Sequence, residues 1–230
     1  MPIPLYLAMT ASEFHSNSAF PEHLAWMSCL FSPYGRGLSN LPGALPADSL
    51  LILSDRTPIC GHDPELIADQ LTDLVVSFRP SGLLLDFERS GSQETAHLVQ
   101  VLTSVLPCPV CVSALYARER DCPVFLPPPP LDMPLEKYLA PCSGREIWLE
   151  AAVQCQCYTL RPSGCSVAHS VKYGDYPFRE EALHCRYRIE ITADHVDFNL
   201  CRTGEDLASM LEESAALGVT KAVGLWQELK

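Results

Sequence analysis

Short apolar runs alternate with amphipathic stretches along most of the 230-residue chain. Runs of four to eight residues with no polar interruption mark strands buried on both faces, the pattern of a parallel sheet. Pro4 to Met9 and Leu24 to Phe31 form the first two, and Ser32 to Pro46 between the second and third is a Gly- and Pro-containing loop. Ser49-Leu50-Leu51-Ile52-Leu53-Ser54-Asp55 is the third, ending in a polar pair. Asp63 then stands as an N-cap with Pro64 at the first helical position. Ile67, Leu71, Leu74, Val75 and Phe78 keep one apolar face at helical spacing until Pro80 stops the helix. Gly82 opens the fourth strand, which completes a βαβ unit.

The plan repeats in Leu98, Val101, Leu102 and Val105, which line a helix from about Gln93 to Leu106, followed by a fifth strand from Val110 to Leu115 that ends at Tyr116. Pro123 to Leu126 is a short sixth strand, and Pro127 to Pro130 after it form a stiff loop expected over a barrel mouth or edge. Met133 to Leu139 reads as a short helix. Glu146 to Val153 makes a seventh strand, with Trp148 and Glu150 on one face and Ile147 and Leu149 on the other. The period then changes: Tyr158 to Arg161, Cys185 to Ile191 and His195 to Cys201 alternate in the manner of antiparallel strands, with a turn at Thr192-Ala193-Asp194. Thr203 and Asp206 offer a capping box for a helix whose buried face is Leu207, Met210, Leu211 and Ala215. Gly218 is a C-terminal cap, and Lys221 to Trp226 is an eighth strand.

Composition narrows the function classes. Apolar residues make up 47% and charged residues 19%, which excludes a disordered chain. A net charge of −12 argues against nucleic acid or an anionic membrane as a partner. No apolar run is long enough to span a bilayer, and the N-terminus has no basic segment ahead of its apolar stretch. Without a secretion leader, the eleven cysteines are expected as free thiols in a cytoplasm. Cys108-Pro109-Val110-Cys111 has redox spacing but lacks the following helix that lowers a thiol pKa. Cys155, Cys157 and Cys165 lack the paired spacing of a zinc ribbon, so no metal and no cofactor is expected.

The candidate chemistry lies in Ser81-Gly82-Leu83-Leu84-Leu85-Asp86-Phe87-Glu88. Asp86 and Glu88 are two apart, so they project from the same face at the strand's carboxyl end, where parallel α/β folds place their chemistry. This stretch resembles the signature Asp-Gly-x-Asp-x-Asp-x-Glu of glycoside hydrolase family 18, the chitinases and related N-acetylglucosaminidases. Asp86 and Glu88 match its last two acids; Ser81 and Leu84 replace the first two. Asp86-Phe87-Glu88 is similar to the shorter form in branches acting on bacterial cell wall and spore cortex. The tail from Gly204 to Leu229 resembles the family's ending of helix, glycine turn and strand closing in tryptophan. The third strand ends Ser54-Asp55 where the family has Ser-x-Gly-Gly, and the sixth lacks the family's Met-x-Tyr.

The resemblance implies a closed or nearly closed (β/α)8 TIM barrel spanning residues 1–230 as one domain, with an antiparallel insertion at about 155–202. Helices after strands one and two are expected to be short or missing; an open doubly wound sheet is the alternative. It implies a carbohydrate substrate, Glu88 as general acid and Asp86 as the group that orients the substrate's acetamido oxygen, which serves as nucleophile. Two carboxylates facing one pocket raise each other's proton affinity, which suits an acid at neutral pH. Trp226 would be the apolar platform under a sugar ring. Tyr116 and Glu150 are candidates for the missing tyrosine's place in substrate binding. A barrel that binds a glycan or a protein partner without catalysis is the other reading.

Overall fold

The computed structural model describes residues 3–89, 92–117, 121–169 and 174–230. The strands in chain order are β1 (Leu5–Met9), β2 (Leu24–Phe31), β3 (Leu38–Ser39), β4 (Leu50–Ser54), β5 (Gly82–Asp86), β6 (Val110–Ser113), β7 (Val124–Leu126), β8 (Ile147–Glu150), β9 (Gln154–Arg161), β10 (Gly164–His169), β11 (Phe178–Glu180), β12 (Cys185–Ile191), β13 (Val196–Arg202) and β14 (Val219–Leu225). The helices are α1 (Ala11–Ser16), α2 (Pro64–Phe78), α3 (Gln93–Val105), α4 (Leu135–Leu139), α5 (Gly204–Ser214) and α6 (Trp226–Leu229). Neighbours run β1-β14-β8-β7-β6-β5-β4-β2, and β2 pairs back onto β1. All eight of these pairings are parallel. The ring is therefore a closed (β/α)8 barrel, and the eight apolar runs of the sequence are its eight staves. The open doubly wound sheet is excluded by the β1–β2 pairing.

Side-chain alternation divides each stave between two cores. Even-numbered residues of β1, β4 and β8 point inward, so Tyr6, Ala8, Leu50, Ile52 and Trp148 pack with Leu84, Cys111, Phe125 and Val223 inside the barrel. The outer faces, such as Leu51, Leu53, Leu83, Leu85, Ile147 and Leu149, pack under α2, α3 and α5. Trp148 closes the amino-terminal end. Its indole nitrogen donates to Glu146 Oε1 at 2.9 Å, and the Lys221 ammonium stands 4.3 Å from its ring centre. Gly82 makes room for it, since a Cβ there would lie 2.6 Å from the indole's Cη2.

α2 begins where its cap pair places it: Asp63 accepts from Glu65 N at 3.1 Å, and Pro64 is the first helical residue. α5 carries a full capping box between Thr203 and Asp206, and Gly218 takes the left-handed conformation at φ 96°. The helix after β1 is six residues long, and β2 is followed by the short antiparallel β3 rather than a helix.

Between β8 and β14 lies a second, five-stranded antiparallel sheet in the order β10-β9-β13-β12-β11. Thr192 N donates to His195 O at 3.0 Å in the expected turn between β12 and β13. β10 and β11 are additional to the three strands the alternation marks. They are edge strands whose residues are exposed on both faces, so no apolar alternation records them. Residues 170–173 of this insertion lie outside the described residues. Arg202, 1% exposed, ties the sheet to the barrel. Its guanidinium donates to the carbonyls of His184, Leu183 and, at 2.8 Å, Pro129 in the polyproline run. Gln154 Nε2 reaches the same Pro129 carbonyl at 2.7 Å.

The expectation of eleven free thiols is corrected. Cys155 and Cys201 face each other across the β9–β13 ladder and form a disulfide, leaving nine free cysteines. Their pairing depends on a strand register 46 residues apart in sequence, which cysteine spacing does not carry. Burial pushes the Cys108 thiol up to about 11 and holds Cys111 well above the usual thiol range, so neither offers the thiolate that redox exchange needs.

Candidate active site

At the carboxyl end of the barrel a cavity of about 130 Å³ opens among the strand ends. Its floor is apolar, built by Ala8, Ile52, Leu84 and Val223, and its rim carries Asp86, Glu88, Glu150, Ser54 and Arg56. Small-molecule sites commonly measure ~300–1,000 Å³, so this volume fits one group of a larger ligand lying across the mouth.

Asp86 and Glu88 reach the cavity together, as their spacing on one strand requires. The intervening Phe87 turns the other way and is 1% exposed, set 6.0 Å from the Phe31 ring and edge-on to Tyr116 at 6.2 Å. That buried phenylalanine fixes the rotation of the two acids about the strand axis. The backbone beyond is held by three side chains from neighbouring strand ends. Asp55 accepts from Glu88 N at 3.2 Å and from Arg89 N at 2.9 Å. Ser113 Oγ donates to Phe87 O at 2.8 Å, and Tyr116 Oη donates to Arg89 O at 2.9 Å.

Burial pushes Asp86 up from 3.8 to about 6, and the charges of Glu88 and Asp55 add to the shift while Arg56 opposes it. Leucine at position 84 contributes to that burial by leaving the floor beneath Asp86 apolar, where an acid would add a charge. Ser81 lies at the opposite end of β5, where its hydroxyl donates to Tyr6 Oη at 2.9 Å, so its replacement of an acid takes nothing from the cavity. Glu150 ends β8 and lines the cavity from across the mouth. Burial pushes it from 4.5 to about 7, with Asp86, Glu88 and Glu228 adding to the rise.

Two of the sequence candidates sit elsewhere. Tyr116 is 8% exposed and packs beneath the loop after β5, where it holds Arg89 rather than facing the cavity. Trp226 is not on the last strand: β14 ends at Leu225 and Trp226 opens α6. The cavity side of β14 is supplied by Val223, Gly224 and Leu225. Trp226 instead lines an outer groove with Leu5 and Leu7, whose side chains point away from the barrel interior. The strand position expected of it is thereby corrected, because the chain turns into α6 at the tryptophan.

Ser54, Asp55 and Arg56 escaped selection as site residues. The signal was present in the polar triplet that ends an apolar strand, and its departure from Ser-x-Gly-Gly marks where the chain builds its own support for β5. Among the described residues, no group of three or more His, Cys, Asp or Glu is placed to hold a metal ion. No helix among them is long and apolar enough to cross a membrane.

No known family profile matches this sequence, and no curated protein matches it. Solved structures do match in fold. A chitinase from Chromobacterium violaceum superposes with a TM-score of 0.56 at 12% identity, over 96% of this chain and 93% of the other. The spore cortex-lytic enzyme SleL of Bacillus cereus gives 0.55 at 10% identity, over 97% and 70%. SleL of Bacillus megaterium gives 0.52 at 9%, over 97% and 70%. At these identities the likeness is one of fold: a barrel of the kind found in chitinases and cortex-lytic enzymes.

Proposed function

We propose that this chain is a glycoside hydrolase of N-acetylglucosamine-containing glycans, chitin-like or peptidoglycan fragments, working in the manner of family 18. The observation that carries the reading is the joint entry of Asp86 and Glu88 into one cavity at the carboxyl mouth of a closed barrel. The barrel with its insertion would work as one unit. Glu88 protonates the glycosidic oxygen as the bond to the anomeric carbon breaks. The substrate's own acetamido oxygen forms the new bond to that carbon, giving an oxazolinium-like intermediate. Asp86 holds the acetamido N–H and balances the developing positive charge. Water then attacks the anomeric carbon as its bond to the acetamido oxygen breaks, and Glu88, now a carboxylate, takes the water's proton; configuration is retained.

Each residue's setting supports its part. Asp86, pushed up to about 6, is ionised at neutral pH but poorly solvated, so a cationic intermediate beside it recovers interaction that water does not supply. Glu88 is exposed at the rim, where a leaving group has room. A second reading, a barrel that binds such glycans without turnover, is favoured by one observation: among the described residues, the cavity lining carries no tyrosine hydroxyl to hold the acetamido group. Purified protein with a chromogenic chitobioside tests the two. Steady release of the chromophore supports the hydrolase. An inert protein whose melting temperature rises with a chito-oligosaccharide supports the binder, and neither effect overturns both.

A further inference from the structure

The seventh barrel strand delivers a third carboxyl to the cavity, and the two-carboxyl chemistry leaves it without a task. Glu150 ends β8, three staves round the ring from β5, so it faces Asp86 and Glu88 across the mouth. Register fixes it there: Glu150 lies beside Val223, and Ala151 N donates to Val223 O at 2.8 Å. The lining side chains of the adjoining staves β7 and β14, Phe125, Val223 and Leu225, are apolar. Among the described residues none hydrogen-bonds its carboxyl. The charged groups acting on it are Asp86 at the end of β5, Glu88 two residues beyond it and Glu228 from α6, and it acts in turn on the Tyr138 hydroxyl of α4. Arg56, a cation on the lining just beyond the end of β4, acts on Asp86.

A carboxyl facing three acids, with an apolar wall beside it, holds a proton in preference to a counterion. Protonated, it is a donor with no acceptor bonded to it among the described residues. We propose that Glu150 binds substrate directly, its protonated carboxyl donating a hydrogen bond to the amide carbonyl oxygen of an N-acetyl group. This assignment rests on the N-acetyl-glycan reading above. An amide carbonyl suits the site because it accepts and never donates, and because its methyl matches the apolar floor of Ala8, Ile52, Leu84 and Val223. A carboxylate at 150 would turn lone pairs toward that carbonyl, so binding is lost as Glu150 ionises. Burial and its acidic neighbours push that ionisation up to about 7.

Calorimetric titration of N,N′,N″-triacetylchitotriose into the full chain tests this, in a Glu88→Gln background that leaves the sugar intact. In that parent, affinity falls about tenfold per pH unit above the ionisation of Glu150. Adding Glu150→Gln, whose amide N–H donates at every pH, retains affinity and removes that fall. Adding Glu150→Ala weakens binding about tenfold below the ionisation, with no further loss above it. Any dependence on Asp86 is common to all three proteins and lies lower, near pH 6. An alanine variant with an unchanged melting temperature that binds as tightly as its parent overturns the assignment alone, as does a glutamine variant that keeps the parent's fall. If none of the three proteins binds the sugar, the assignment falls together with the N-acetyl-glycan reading.

Discussion

At the residue scale, Asp86 illustrates how a site carries its own cost. Its carboxyl is raised from 3.8 to about 6, first by burial and then by Glu88 and Asp55. The sign follows from linkage: a group that holds its proton more tightly when folded contributes stability that is fully present below 3.8 and lost as pH rises through about 6. Two pKa units correspond to an upper bound of about 2–3 kcal/mol. Asp86→Asn should therefore raise stability by up to about 2 kcal/mol above pH 7 and leave it nearly unchanged below about pH 4. Denaturant midpoints at the two pH values check this; a variant less stable than wild type above pH 7 would contradict it. The two acids were legible in the sequence because a strand's period of two fixes which residues share a face. The placement of Trp226 was not, since whether residue 226 continues the strand or opens a helix depends on α6 folding back over β1, a contact between chain ends.

At the element scale, the loop after β5 is held in place by its neighbours rather than by its own sequence. Asp55, 4% exposed, accepts two backbone N–H groups from it. Asp55→Ala should cost about 1–3 kcal/mol, because two donors lose their partner in a poorly solvated place. Its effect on turnover should exceed its effect on the melting temperature, since Glu88 then leaves its position, and Asp55→Asn should recover part of the activity through its remaining carbonyl oxygen. Turnover that is unchanged in a folded Asp55→Ala protein would remove Asp55 from the account. Most elements were readable because the local signals agreed: Asp63-Pro64 starts α2, Thr203 with Asp206 starts α5, and Gly218 ends the turn after it. β10 and β11 were not, since exposed edge strands carry no apolar alternation to read.

At the scale of the whole molecule, eight apolar runs predicted eight strands, and the β1–β2 pairing shows that they close into a barrel. Closure matters to function because it brings Glu150 opposite Asp86 and Glu88, which no local pattern relates. The second sheet is fastened by Arg202 and by the Cys155–Cys201 disulfide, both dependent on long-range register. Titration of denatured, unreduced protein should find nine thiols; eleven would deny the disulfide. The central claim is that Glu88 is the acid of an N-acetylglucosaminide hydrolase, and the most direct test compares wild type with Glu88→Gln on a chromogenic chitobioside. Glutamine keeps the shape and the hydrogen bonding of the side chain but removes the titrating proton. The account predicts that wild type releases the chromophore and that the variant, equally stable, is slower by about 10²–10⁴. A Glu88→Gln protein as active as wild type would contradict it.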